Sequence, residues 1–362
     1  MRGDFYRKYG SMKVDKQKVY VFILTYYLGG GTERVFENIA SALHSQKSDA
    51  EIYLYVVHGF EETNFILDDY VKIVHSYSSI RKIALLHHNK TVINFSGDWK
   101  SGIVARSLSK KYISWVHCNP FTMHTARTAV LNFHLLRKSN KIVCVCQEQK
   151  EILQNEFSFR NKITVIYNSV DSEKIRRLSC EPLTCVSYSY ILMVARIDFA
   201  SKDFFTVIDA YENLREELKS KYKLVFLGDG PDKQKVLAYI SKKNLEDFII
   251  LAGFDKNPYR WMKNAACNIL SSKNEGFGVS CIESMSLGCP QIVTNYQTGA
   301  KEIACGGKTA AIVEIGDVEG LSDSITKILT DNDYRNNLVK NASAFVEQFY
   351  QNHFEREIIQ FF

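Results

Sequence analysis

Short runs of apolar residues recur along the chain, separated by longer stretches of mixed polarity, and they fall into two sets. The first set covers residues 19–25, 52–57, 71–74, 91–96, 112–116, 141–145 and 163–166. The second covers 190–195, 223–227, 248–251, 267–270, 292–294 and 306–314. Runs that are apolar without alternation predict parallel strands buried on both faces, and two sets of them predict an α/β chain with two sheets. Helices are predicted over 32–40 with Thr32 as its cap, over 125–141, over 232–243 and over 279–287, with an amphipathic helix over 345–362. Strand 19–25, the glycines Gly29-Gly30-Gly31 and helix 32–40 together make a Rossmann-like opening. The turn lacks GxGxxG, which argues against a nicotinamide-dependent oxidoreductase.

The boundaries follow from this pattern. Residues 1–18 are basic and poor in apolar positions, a loose tail, and Met12 stands shortly before the first strand as an alternative start. Residues 19–175 form a first domain, joined by the last helix 345–362, and residues 176–344 form a second, with the chain crossing between them over 172–188. A length of 362 residues is ordinary for two domains, and 46% hydrophobic with 24% charged residues is ordinary globular composition. The longest apolar run falls short of a membrane span, and the polar N-terminus predicts no secretory leader. Nine scattered cysteines without a CxxC pair fit a reducing cytoplasm better than a disulfide or zinc framework. Cys144 and Cys146, two apart on a predicted strand, are expected on one face. A net charge of +6 is too mild to indicate nucleic acid, but it is compatible with an anionic membrane surface or a phosphate-bearing substrate.

The densest chemistry lies in Ser271-Ser-Lys-Asn-Glu-Gly-Phe-Gly-Val-Ser-Cys-Ile-Glu-Ser-Met-Ser-Leu-Gly-Cys-Pro290. Gly276 and Gly278 permit a sharp turn close to a ligand. The helix from Val279 then presents its N-terminus, with unpaired N–H groups and partial positive charge, to that loop, which suits a phosphate. Glu275 lies in the loop and Glu283 one turn into the helix. Glu283 is either a surface glutamate or a buried carboxylate, and a buried one needs partners such as ligand hydroxyls. In the first domain, Asp98, His117 and Asn119 follow predicted strands, where α/β sheets bind ligands. His117 is either structural or a ligand contact, and Asp98 serves either an acceptor hydroxyl or as a helix cap. His58 and His124 read as structural. Asp331-Asn-Asp333 spells DxD but sits between two predicted helices and reads as a cap. Arg106, Lys110, Lys111, Arg127, Arg137, Lys138 and Lys141, interleaved with apolar residues, form either a solvated face or an anionic-membrane dock.

The two glutamates with seven residues between them, inside Glu-Gly-Phe-Gly and followed by Ser-Met-Ser-Leu-Gly-Cys-Pro, resemble the E-x7-E signature of the retaining glycosyltransferases, family 4, of the GT-B fold. The resemblance is dense over 190–303 and patchy over 19–40 and 112–170. It implies two Rossmann-like domains facing across a cleft and a metal-independent transfer of a sugar from a nucleotide diphosphate sugar to an acceptor hydroxyl. A UDP-sugar is favoured as donor and no further cofactor is expected. Arg196, at a strand end, and Lys202, six residues on, match the family's clamp on the donor diphosphate. Asp203 follows where the family has glycine. Glu275 is implied at the donor sugar, Glu283 at the ribose, and His117 at the sugar from the first domain. Gly30 and Gly31 are implied beside the donor phosphates, Gly278 and Val279 at the phosphate end of the helix, and Gly253 and Phe254 at the base, although Phe254 fits a core position equally. Gly299 and Glu302 match the family's Gly-x-x-Glu-Ile.

The expected acceptor is a glycan or lipid-linked glycan of cell-surface polysaccharide synthesis, and the expected place is the cytoplasm, at the inner face of the membrane. Two alternatives share the fold: a sugar-nucleotide epimerase or hydrolase, and a non-catalytic nucleotide-sugar-binding partner subunit.

Overall fold

A computed structural model describes residues 18–27, 31–46, 49–59, 67–118, 125–159, 162–184 and 186–362. The chain divides into two compact units. Met1–Cys144, Leu153–Ile166 and Glu355–Phe362 form the first, and Val145–Ile152 with Tyr167–Phe354 form the second.

The first unit holds β1 (Val19–Leu24), β2 (Glu51–Val56), β3 (Val71–Val74), β4 (Lys90–Asn94), β5 (Tyr112–Val116), β6 (Lys141–Cys144) and β7 (Ile163–Val165), in the order β3-β2-β1-β4-β5-β6-β7. Every pair is parallel, with Val19 opposite both Glu51 and Lys90. β1 is buried at all six positions, as a central parallel strand covered on both faces must be. Phe22, Phe36, Phe95 and Trp115 pack edge-on or tilted against one another on one side of it. The chain end completes this unit: Phe361 packs on Trp115, the Phe362 ring on Tyr20, and Lys18 Nζ donates to the Phe362 carbonyl at 2.9 Å.

The second unit holds β8 (Ser189–Val194), β9 (Tyr222–Leu227), β10 (Ile249–Gly253), β11 (Cys267–Leu270), β12 (Gln291–Thr294) and β13 (Ala311–Val313), all parallel, in the order β10-β9-β8-β11-β12-β13. Its core joins Ile191, Met193, Leu224, Phe226, Ile269 and Ile292 of the sheet to Val207, Ile208 and Tyr211 of the helix Phe204–Glu212. Each sheet therefore reverses direction beside its first strand, at β1/β4 and at β8/β11. In an open α/β sheet that is where the carboxyl ends of the strands leave a ligand crevice.

Several expectations need correction. The first helix starts at Gly31, so Thr32 lies inside it and does not cap it. The crossing 172–188 contains a helix, Ser172–Ser179, capped by the Asp171 carboxylate on the Lys174 N–H at 2.9 Å. The strand expected over 248–251 runs to Gly253, and that over 306–314 shrinks to Ala311–Val313 behind a short turn of 3-10 helix at Cys305–Gly307. The strand before Cys146 ends at Cys144, so the two cysteines do not share a strand face, although both are buried. The amphipathic tail is broken at Tyr350, and its last helix is Gln351–Phe361. Helices Tyr77–Leu86 and Gln147–Phe157 are additional to those expected.

Candidate functional site

At the β8/β11 reversal, the loops following the two strands are laced together. The Asp203 N–H donates to the Ser271 carbonyl at 2.9 Å, the Lys273 N–H to the Ser201 carbonyl at 2.8 Å, and Ser271 Oγ to the Asp203 carbonyl at 2.9 Å. This lacing holds Lys202 against the loop that carries Glu275. Lys202 Nζ pairs directly with Glu275 Oε2. Ser272 Oγ spans the two, accepting from Lys202 Nζ at 2.8 Å and donating to Glu275 Oε2 at 3.0 Å. Ser272 is fully buried, and Thr294 at the end of β12 fixes its backbone: Oγ1 accepts from the Ser272 N–H at 2.8 Å and donates to the Ser272 carbonyl at 2.7 Å. Thr298 Oγ1 donates to the Glu275 carbonyl and so holds the loop from its other side.

The loop ends at Gly278, whose φ of 73° only glycine adopts cheaply. A Cβ there would stand 2.7 Å from Leu270 Cδ2 and 2.9 Å from the Tyr296 hydroxyl, so a larger residue would meet the left-handed φ and would also have to push these buried side-chain ends aside. Helix Val279–Ser286 then begins without a side-chain cap, which leaves its N-terminal donors facing the loop. Gly288, at φ 76°, ends the helix region. Glu283 lies on this helix at 4% exposure, so the surface reading is wrong and the buried reading holds. The Tyr259 hydroxyl donates to Glu283 Oε1 at 3.1 Å from helix Tyr259–Asn264, which the Asp255 carboxylate anchors through Arg260 and the Trp261 indole N–H, each at 2.8 Å.

Arg196 stands exposed just beyond β8, and among the described residues nothing pairs with it. Gly253 has φ 76° and adjoins a β-bulge. Phe254 is 61% exposed, which rules out the core position. A further cluster in this unit joins Gly299 and Glu302, which the sequence singled out, to Glu148 and Tyr167. The Glu148 N–H donates to Glu302 Oε1 at 2.6 Å, the Gly299 N–H to Glu148 Oε2 at 2.5 Å, and the Tyr167 hydroxyl to Glu302 Oε2 at 2.8 Å. Each glutamate thus serves the N-terminus of the other's helix. Burial, with the nearby Glu302 charge, raises the Glu148 carboxyl above its usual range.

In the first unit, His117 follows β5. Its ring packs edge-on to Phe95 at 4.7 Å and bonds the Phe95 backbone, while Nε2 is buried without a partner among the described residues. Burial pushes the imidazole down to about 3, so it is neutral at physiological pH and Nε2 can only accept. Asp98 is a helix cap, as one of its two readings had it: Oδ1 accepts from the Ser101 N–H at 3.0 Å, and Oδ2 accepts from Thr25 Oγ1 at 2.5 Å. Gly31 opens its helix, whereas Gly30, Asn119 and His124 lie outside the described residues. Asp331 is likewise a cap, accepting from the Tyr334 N–H at 2.9 Å.

The structure thus brings Lys202, Glu275, Gly278 and Val279 together at one reversal point and seats Glu283 on the same helix. Ser272, Tyr259 and Thr294, which support them, escaped sequence reading. Ser272 offered only its place three residues before Glu275.

Residues 186–345 match the family model "Glycosyl transferases group 1", and residues 29–174 match "Glycosyltransferase Family 4". The N-acetylgalactosamine-N,N'-diacetylbacillosaminyl-diphospho-undecaprenol 4-alpha-N-acetylgalactosaminyltransferase of Campylobacter jejuni is 31% identical over 200 residues, 54% of this chain and 53% of that protein. The chain therefore spans about half the length of the first curated relatives it matches. The amylovoran biosynthesis glycosyltransferase AmsD of Erwinia amylovora is 24% identical, over 76% of this chain and 80% of that one. Among solved structures, HepE of Anabaena in complex with UDP and glucose superposes with a TM-score of 0.78 at 17% identity, covering 95% of this chain and 98% of the other. The fold is GT-B, the fold of the solved glycosyltransferases on which the chain superposes.

Proposed function

We propose that the protein is a retaining, metal-independent hexosyltransferase that moves a sugar from a nucleotide diphosphate sugar, with UDP favoured, to a hydroxyl of a glycan or lipid-linked glycan. The observation that carries this reading is the pairing of Lys202 with Glu275 beside the uncapped helix N-terminus at Val279. A cation beside a helix terminus suits the charge that develops on a leaving diphosphate, and a carboxylate suits a sugar hydroxyl or a cationic anomeric carbon. In the reaction the anomeric C–O bond to the β-phosphate breaks and the bond to the acceptor oxygen forms on the same face. The acceptor proton passes to the departing phosphate oxygen. Lys202 and Arg196 supply counter-charge in place of a metal, Glu283 holds the ribose hydroxyls, and His117 Nε2 accepts from a sugar hydroxyl. Gly253 and Phe254 border the base.

The relatives support the reading by their names: one acts on a diphospho-undecaprenol-linked glycan, another serves amylovoran biosynthesis, and HepE was solved with UDP. For a lipid-linked acceptor, the first unit offers exposed Arg127, Val130, Arg137 and Lys138 on helix Ala126–Lys138, a face suited to anionic lipid at the cytoplasmic leaflet. Among the described residues no helix is long and apolar enough to cross a membrane.

The test is thermal shift with UDP-, GDP-, ADP- and CDP-sugars, with and without EDTA. A ligand at 100 times its Kd stabilises by roughly 2.7 kcal/mol. A shift with one sugar nucleotide, unchanged by EDTA, supports the proposal, and the absence of any shift defeats it.

A further inference from the structure

We infer that Tyr26, His58, Trp99 and Lys100 form a subsite in the first unit for a pyranose ring bearing an anionic group. The inference rests on the transferase reading, of which this would be the acceptor pocket. Three separate loops contribute: Tyr26 follows β1, His58 follows β2, and Trp99 and Lys100 open the helix Trp99–Leu108 after β4. The order β2-β1-β4 makes these strand ends neighbours at the β1/β4 reversal, where an α/β sheet presents its ligand crevice.

The groups are pre-set. The Tyr26 and His58 rings stack at 4.6 Å with 17° between their planes, and Tyr26 remains 48% exposed, which leaves aromatic surface open to a partner. Lys100 Nζ donates to His58 Nε2 at 2.9 Å and to the Tyr26 hydroxyl at 3.3 Å, and it lies 5.5 Å and 5.8 Å from the Tyr26 and Trp99 ring centroids. An ammonium only donates, so His58 Nε2 accepts and its remaining proton sits on Nδ1. A free surface lysine keeps its rotamer entropy, whereas this one is held by three rings. Among the described residues no carboxylate pairs with it.

The backbone beneath is braced by the His58 N–H to the Thr25 carbonyl at 3.2 Å, the Thr25 N–H to Ser96 Oγ at 2.8 Å, and Thr25 Oγ1 to Asp98 Oδ2 at 2.5 Å. Asp98 caps the helix that presents Trp99 and Lys100, and so aims both. Flat aromatic faces suit the C–H faces of a pyranose, and the fixed ammonium suits a phosphate or a carboxylate on it.

The experiment titrates the protein with octyl glucoside, octyl glucuronide and octyl glucosyl phosphate below their micellar concentrations. The readout is tryptophan fluorescence: Trp99 is half-buried, whereas Trp115 and Trp261 are buried. We expect the anionic probes to bind at least ten-fold more tightly than the neutral one, Lys100→Met to erase that preference, and Tyr26→Ser to weaken all three. Whichever anionic probe binds more tightly distinguishes phosphate from carboxylate. Equal binding of the three probes by the wild type, or a preference that survives Lys100→Met, overturns the subsite. Thermal shift of the wild type with sugar nucleotides runs alongside. Anionic-probe binding without any nucleotide shift would sink the transferase reading and leave the subsite standing.

Discussion

Lys202 Nζ and Glu275 Oε2 form a direct ion pair across two loops 73 residues apart in sequence, and Ser272 Oγ is hydrogen-bonded to both. Lys202 is largely buried in this arrangement, and the Glu275 carboxylate supplies its counter-charge. Ser272→Ala removes the hydroxyl from both partners and leaves the pair in place. We expect a stability loss of about 1–3 kcal/mol, the cost of leaving buried polar groups short of a partner. Turnover should fall by one to two orders of magnitude with little change in donor Kd, and Ser272→Thr should restore part of it. Urea melts, donor titration and initial rates check this. A wild-type rate in the alanine variant would mean that the serine does not position the pair.

Glu283 and Tyr259 make a second linked pair, and here the effect should fall on binding. Tyr259→Phe deletes the hydroxyl that donates to Glu283 Oε1, leaving a buried carboxylate with one donor fewer. Donor KM should rise several-fold with kcat nearly unchanged, while Glu283→Gln should raise KM further. If Tyr259→Phe instead lowers kcat at constant KM, Glu283 acts on the chemical step and not on the ribose.

Gly278→Ala tests the turn itself. The substitution meets a left-handed φ and a 2.7 Å approach to Leu270 Cδ2. The backbone conformation alone costs about 1–2 kcal/mol for an L-residue, and the clash adds to it. We expect a lowered Tm and loss of sugar-nucleotide binding in the same variant. Gly253→Ala offers a contrast, because nothing lies within 4 Å of its would-be Cβ and only the φ of 76° opposes it. Its Tm loss should be the smaller of the two.

The contrast between what the sequence disclosed and what it hid has a physical basis. β1 and β5 are buried at every position, so their sequences are apolar throughout, apart from Ser114 in β5, and show themselves directly. Gly278, Glu283 and the helix Val279–Ser286 were legible because turn, terminus and carboxylate fall within one short stretch. Helix Tyr77–Leu86 was not, since its buried face amounts to Ile80 and Ala84 while Leu85 and Leu86 are exposed. Phe254 was ambiguous because an aromatic in a loop carries no sign of its exposure. The Lys202–Glu275 pair, the Glu148–Glu302 exchange and the Tyr26–His58–Lys100 cluster all depend on strand order, which places distant loops side by side and leaves no periodicity to read.

His117 gives a prediction in pH. Its imidazole is pushed down to about 3 from an ordinary value of 6.5, because burial disfavours the cation more than the bond to the Phe95 backbone favours it. Above pH 6.5 the ring is neutral in both folded and unfolded chains and costs nothing. As pH falls below 6.5 the unfolded chain takes up a proton that the folded chain refuses, so stability is lost down to about pH 3, by about 1.4 kcal/mol per unit at most. His117→Asn should remove this component. Urea unfolding at pH 7 and pH 5 should show the wild type losing roughly 1–2 kcal/mol more than the variant. Activity should show no inflection from this residue between pH 5 and 8, since the folded-state ring is neutral throughout. Equal losses in wild type and variant would mean that the ring is charged in the folded protein, and Nε2 would then donate to the sugar hydroxyl instead of accepting from it.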